Sequence, residues 1–359
     1  MSQFMDFQPD YRHMLAVLNN ERPARLPIYE HIISPRIMER VLNTPFADLQ
    51  YGDEADMREF FTQYCRFWKE MTYDTVSFEV CITEILPGHG AIMGGRPGPI
   101  QNRQDFEHYP WDELPQRFWA LADRQFTLLG QCLPKGMKAL GGVGNGVLEI
   151  SEDLVGYEYL CYMMADDPEL FADLYRKIGD LMVNLWTTFL QRHTETYAIC
   201  RFGDDLGFKT STLVAPRTIH QQIIPQYRRV VEAVHRAGRP FLWHSCGNIF
   251  TIMDDVIAIG INAKHSNEDV IAPFDEWIAR YGDRIGLLGG IDVDILCQKT
   301  PGEIVDIVSE RGSRFRQHAR GYALGSGNSI PDYVPVDGYL AMIEAAQHIR
   351  ADVSSTSAD

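Results

Sequence analysis

Arg239-Pro-Phe-Leu-Trp-His-Ser-Cys-Gly247 is the stretch from which the architecture can be read. Pro240-Phe-Leu-Trp-His244 is a short apolar run between a proline and a glycine, the length and setting of a buried strand rather than a helix. Upstream, Ala215-Pro216-Arg217 opens a helical stretch to about Ala237, and Gly238 supplies its stop. Downstream, a second helical stretch, Asp254 to Ile259, ends at Gly260 and runs into Gly260–His265. Strands separated by helices cannot be hairpin partners, so the unit predicts a parallel sheet.

The same alternation extends in both directions. Further strand-like runs are Arg25–His31, Tyr73–Glu79, Met137–Val143, Ala198–Asp204, Arg284–Gly290 and Gly321–Gly325. Thr300 is placed to cap a helix that Pro301 opens and that runs to about His318. Eight strand–helix units predict an α/β fold, a (β/α)8 TIM barrel forming one domain over residues 1–350. Such barrels take about 250 residues. The excess is assigned to an N-terminal helical extension and a helical insert at roughly 151–195. The Ser/Thr/Asp-rich stretch 351–359 reads as a flexible tail. An open doubly wound sheet is the alternative, weakened because no Gly-x-Gly-x-x-Gly follows the first strand. Gly141-Gly-Val-Gly-Asn-Gly146 lacks a phosphate-loop lysine and reads as a strand-end turn.

Bulk properties exclude several classes. The chain has 359 residues, 45% hydrophobic, and a net charge of −16. That surface disfavours nucleic acid and anionic membranes as partners, though not an acidic small molecule held by local cations. No stretch approaches the roughly 20 apolar residues of a membrane span. Met1-Ser-Gln-Phe-Met-Asp6 has no basic segment, so no signal peptide is expected. Seven cysteines without paired spacing point to free thiols in a reducing cytoplasm. Oligomeric state is not legible.

In a barrel of this kind chemistry sits at the C-terminal ends of the strands. Those ends carry Glu30 and His31, Glu79, Asn145, Asp204 and Asp205, His244 and Cys246, His265, Asp292, Ser326 and Asn328. Each alone also fits a structural role; their concentration on one rim is the signal. His244 and Cys246 are two positions apart, so both can face one borderline metal ion. Asp204-Asp205 can bind a cation, share a proton or cap a helix. Cys81 and Cys297 read as packing thiols. His13, His108, His193, His220, His235, His318 and His348 read as surface residues.

Taken together these pieces resemble the uroporphyrinogen decarboxylase superfamily over about residues 10–350. The resemblance is carried by Asp204-Asp-Leu-Gly207, Val234-His-Arg-Ala-Gly238, Leu242-Trp-His-Ser-Cys-Gly247, Tyr281-Gly-Asp-Arg284, Gly289-Gly-Ile-Asp292, Leu324-Gly-Ser-Gly327 and Val334-Pro335. It implies the same (β/α)8 barrel. Where true decarboxylases carry an Arg-rich motif after the first strand, this chain reads Ile28-Tyr-Glu-His-Ile-Ile-Ser-Pro-Arg36. The histidine of their last strand is replaced by Ser326.

The motifs are closer to the methylcobamide:coenzyme M and related corrinoid-dependent methyltransferases. These bind zinc through His-x-Cys after strand five and a cysteine after strand eight. The resemblance implies Zn²⁺ on His244 and Cys246; Ser326 stands at the third position, and Glu79 ranks first as its replacement. Asp204, Asp205 and His265 become the catalytic candidates. Glu30, His31, Asn145, Asp292, Ser326 and Asn328 become the substrate-binding ones. The expected function is a zinc-dependent methyltransferase moving a methyl group between a small donor or acceptor and a methylcorrinoid carried by a separate protein. The alternatives are a metal-free decarboxylase (carboxy-lyase) of a tetrapyrrole or small acid, and a non-catalytic metal- or small-molecule-binding barrel.

Overall fold

The computed structural model describes residues 7–356, with side chains through residue 350. Met1–Asp6, on which the signal-peptide reading rests, and residues 357–359 of the tail lie outside the described residues. Seven parallel strands form one sheet in chain order: β1 Thr75–Cys81, β2 Lys138–Gly144, β3 Tyr197–Gly203, β4 Phe241–His244, β5 Ala263–His265, β6 Gly286–Ile291 and β7 Tyr322–Ser326. With helices in every connection, the arrangement is a TIM-like α/β barrel.

The first expected strand is corrected. Arg25–His31 makes a single parallel bridge, Ile28 to Leu324, with Tyr29 N donating to Leu324 O at 2.8 Å and Leu324 N to Pro27 O at 3.1 Å. Pro27 has no N–H to continue a ladder. Further on, the His31 carbonyl is taken by side chains, Ser77 Oγ at 2.5 Å and Arg201 Nη1 at 3.0 Å. The segment therefore lies between β7 and β1 and joins them largely through side chains. It lies so close to β7 that a Cβ on Gly325 would sit 1.8 Å from the Tyr29 carbonyl oxygen.

Several other elements lie near their expected positions, and two readings change. Gly141–Gly144 lie inside β2, and only Asn145, at φ 65°, and Gly146 make the turn. The helix from Pro216 to Arg236 contains a widened turn at Ile219–Ile223, just before Pro225, which cannot supply a helical N–H. Gly238, at φ 71°, ends it in the left-handed conformation. Thr300 and Glu303 form a reciprocal capping box on the helix Pro301–His318. Helices Val147–Val155, Tyr157–Asp166 and Pro168–His193 occupy the region of the expected insert, and the last helix is Val336–Thr356. His193, expected at the surface, is buried beside Phe126 and Phe189 with Nε2 3.1 Å from Asp123.

Strand alternation sorts the interior into levels. Leu140, Ile199, Leu242, Ala263, Leu288 and Ala323 form an apolar cluster with Met14, Val17 and Leu18 of the short helix Arg12–Leu18. Two residues further along their strands stand Arg201, His244 and His265, in place of more apolar side chains. In the sheet register Leu242 pairs with Ala263 and His244 with His265. That pairing brings the two imidazoles together above the apolar layer.

Candidate metal centre

His244 Nδ1 lies 2.8 Å from His265 Nδ1, and His265 Nε2 lies 3.0 Å from the Ser326 carbonyl oxygen. A carbonyl only accepts, so His265 carries its hydrogen on Nε2 and accepts on Nδ1. His244 must then donate from Nδ1, which leaves the lone pair of its Nε2 free. That atom is 3.5 Å from Cys246 Sγ and 3.8 Å from Asp205 Oδ1. The side chains of Asp205, His244 and Cys246 thus bring one ligand atom each to a common point.

Burial above all pushes the His244 and His31 pKa values well below the usual imidazole range, and that of His265 down to about 3. All three rings are neutral at pH 7, the form that binds metals. Burial, followed by the Asp205 charge, raises the Cys246 thiol pKa, so a metal ion must displace its proton. Cys246 N donates to Asp205 Oδ1 at 2.9 Å, which ties the carboxylate to the main chain of Cys246.

A second convergence, His31 with His244 and His265, is less suited to an ion. The His31 and His244 rings are stacked with centroids 3.7 Å apart and planes 11° from parallel. Their in-plane lone pairs run nearly parallel and cannot meet at an ion about 2 Å from each nitrogen. His31 Nδ1 has no hydrogen-bond partner and is buried.

Glu79 does not join either group; it is replaced by Asp205 as the carboxylate beside His244 and Cys246. Glu79 Oε2 accepts from Arg201 Nη2 at 2.7 Å and Nε at 3.1 Å, inside the barrel. Arg201 is fully buried and also donates to Tyr29 Oη and Ser77 Oγ. Ser326 faces away from the thiol: its N donates to Glu30 Oε1 at 2.8 Å and its hydroxyl lies against Glu30 Oε2 and, at 2.6 Å, the Asn328 carbonyl. Glu30 and Ser326 are both fully buried, so neither offers a surface to substrate. Asp204 is also fully buried; it accepts from Leu148 N and Glu149 N at 2.9 Å each, at a helix start, and from the Tyr227 hydroxyl. Asp292 caps the helix Val293–Gln298 and accepts from Asp269 N at 2.7 Å. Asn145 holds Thr83 N and Glu149 Oε2.

Asn328 does reach the centre, donating from Nδ2 to Cys246 Sγ at 3.4 Å. It also lines a cleft of about 320 Å³, with Lys209, Glu268, Val270, Asp294 and Tyr333 among its walls. Asn328 is thus shared between the wall of the cleft and the thiol. Sequence reasoning missed four residues here: Arg201, Glu149, Lys264 and Ser266. Arg201 and Lys264 were legible as charged residues inside apolar strands. Burial, followed by the charges of Asp204 and Asp205, holds the Glu149 carboxyl well above the usual carboxylate range.

A barrel of parallel strands with its polar groups at the C-terminal ends has the layout of a TIM-barrel enzyme. The chain belongs to the uroporphyrinogen decarboxylase (URO-D) family, whose family model matches residues 12–349. Among solved structures it is similar to a methyltransferase from Methanosarcina mazei, at 15% identity and a TM-score of 0.74, covering 94% of this chain and 97% of that one. It is also similar to a glycoside hydrolase family 5 enzyme from Prevotella bryantii B14, at 10% identity and a TM-score of 0.42, covering 80% and 86%. A search of curated proteins returns no match. Among the described residues no helix is long and apolar enough to cross a membrane.

Proposed function

We propose that the protein is a zinc-dependent methyltransferase that moves a methyl group between a small substrate and a corrinoid carried by a separate protein. The observation that carries this reading is the 3.5 Å separation of His244 Nε2 and Cys246 Sγ, with the nitrogen lone pair left free by His265. Bonds of about 2.0 Å to nitrogen and about 2.3 Å to sulfur at a tetrahedral angle place those atoms about 3.5 Å apart. The donor set, one imidazole, one thiol and one carboxylate, suits a borderline ion. Likeness to the Methanosarcina mazei methyltransferase supports the reaction class.

Zinc held by His244, Cys246 and Asp205 would supply Lewis acidity and an open coordination position. A carboxylate in place of a second thiolate makes the set harder, which favours an oxygen-bearing methyl donor. The cleft that Asn328 lines would bind that donor; its walls set Glu268, Asp292 and Asp294 against Lys209, so it suits a neutral or cationic molecule over a dianion. Glu149, whose carboxyl burial raises well above the usual range and which accepts from Asp205 N at 3.3 Å, is the acid on this side that would serve a leaving oxygen. His265 has both nitrogens engaged and positions His244. Seven free thiols support a reducing compartment.

Family membership favours decarboxylation as the second reading. Against a polycarboxylate substrate stands the commitment of Arg201 to Glu79. The test is elemental mass spectrometry of the purified protein, before and after zinc is offered, beside Cys246→Ala. About one zinc per chain, lost in the folded variant, supports the metal centre and is followed by methyl transfer from methyl ethers to cob(I)alamin. Full metal content in Cys246→Ala sinks the centre described above. No zinc in either protein turns the search to decarboxylation of small acids. Zinc with no methyl transfer turns it to a binding role.

A further inference from the structure

Ser266 follows directly after β5 with φ of 95°, a conformation that L side chains rarely adopt. Holding a non-glycine residue there costs on the order of 1–3 kcal/mol. Lys264 holds it: its Nζ donates to the Ser266 carbonyl. The lysine is 3% exposed, and its ammonium sits 3.8 Å from the centre of the Trp277 ring. Burying an ammonium is itself costly, and neither the sheet nor the proposed chemistry requires it. The strain and the buried cation meet at one outcome. The Ser266 hydroxyl donates to Cys246 Sγ at 3.4 Å. Glycine would take this conformation without steric strain; what serine adds is a hydroxyl, and that hydroxyl is on the sulfur.

We propose that Ser266 and Lys264 are positioning residues for Cys246, setting the direction and donor strength of its sulfur as a metal ligand. The inference rests on the metal centre proposed above. Ser266 Oγ and Asn328 Nδ2 both donate to the sulfur, each at 3.4 Å. Hydrogen bonds to a ligating sulfur draw electron density away from the metal and fix which lone pair faces it. Lys264 acts through Ser266 by locking its carbonyl. Such outer partners change metal affinity by about 10–100-fold when removed.

The test uses the full chain loaded with Co(II), read by near-ultraviolet sulfur-to-metal charge-transfer absorption and by competition for the metal. Wild type is expected to take up one Co(II) with such a band. Ser266→Ala is expected to move the band to lower energy and weaken binding roughly tenfold. Ser266→Gly, which relieves the backbone strain, is expected to move the band equally while raising stability. Lys264→Met is expected to move it in the same direction in a protein that still unfolds cooperatively. Wild-type uptake with an unchanged band and affinity in Ser266→Ala overturns the proposal and leaves the metal centre standing. A band that moves in Ser266→Ala but not in Ser266→Gly also overturns it, because strain rather than the hydroxyl is then being read. Failure of wild type to bind Co(II) removes the metal centre and the proposal with it.

Discussion

His244 and His265 are paired across β4 and β5, and their Nδ1 atoms share one hydrogen over 2.8 Å. Because His265 Nε2 is committed to the Ser326 carbonyl, the sheet register itself selects the His244 tautomer that points a lone pair at Cys246. His265→Phe keeps the ring's bulk and removes the acceptor. It is expected to loosen zinc about 10–100-fold, as loss of an outer-shell partner does, while the helical signal in circular dichroism is kept. His265→Gln offers an oxygen to the same hydrogen and is expected to recover part of the loss. Zinc affinity measured against a chromophoric chelator separates the two. Equal affinity in His265→Phe and wild type would mean that His265 does not orient His244.

Glu79 and Arg201 form a buried ion pair at 2.7 Å. Glu79→Ala leaves a guanidinium inside the barrel against neutral partners only, and is expected to cost about 3–5 kcal/mol of stability. Glu79→Gln keeps an acceptor and is expected to cost less. Neither variant, measured at a temperature where it is folded, should lose zinc, because Asp205 rather than Glu79 accompanies His244 and Cys246. Denaturant unfolding and metal content on the same samples check both halves. A stable, zinc-free Glu79→Gln would return Glu79 to the ligand set.

Asp204 is placed as a helix cap more than as an acid: two backbone N–H groups and the Tyr227 hydroxyl occupy its carboxylate. Asp204→Asn turns one acceptor into a donor and opposes one of those N–H groups. A stability loss of about 0.5–2 kcal/mol is expected, typical of a lost cap, with zinc content unchanged. Thermal unfolding beside metal content tests this.

The strand pattern was legible because parallel strands buried on both faces read as short apolar runs between helical stretches. That located seven of the strands to within a few residues. It failed at Arg25–His31, where Pro27 and the side chains of Ser77 and Arg201 replace the ladder, since periodicity carries no information about which partner satisfies a carbonyl. The rim was legible as a set, and His244 with Cys246 as a pair, because their spacing is local. Which carboxylate joins them was not: Glu79 and Asp205 look alike in sequence, and only the position of Arg201 two strands away commits the first to an ion pair. Ser266 was invisible for a similar reason, and Lys264 was legible only as a charge inside an apolar strand. Their roles depend on a backbone angle and on Trp277, neither of which has a sequence signature.

Glu30 gives the clearest dependence on pH. Ser326 has one hydroxyl hydrogen and two neighbours, Glu30 Oε2 and the Asn328 carbonyl. Both contacts are satisfied only if Glu30 is protonated, donating to Ser326 Oγ while that hydroxyl donates to Asn328. Burial pushes the Glu30 pKa up to about 8, against the opposing pull of the Ser326 hydrogen bonds. In the unfolded chain it falls near 4.5. Between these values the folded protein holds a proton that the unfolded chain has lost, so folding becomes less favourable as pH rises. The slope from this one group is about 1.4 kcal/mol per pH unit, flat below about 4.5 and above about 8. Glu30→Gln reproduces the protonated hydrogen-bond pattern, its amide donating to Ser326 Oγ and its oxygen accepting from Ser326 N. The variant is expected to match wild type near pH 5 and to exceed it in stability at pH 8, with the difference growing across the interval. Denaturant unfolding of both proteins at several pH values makes the comparison. A constant difference would show that Glu30 does not exchange its proton over this range.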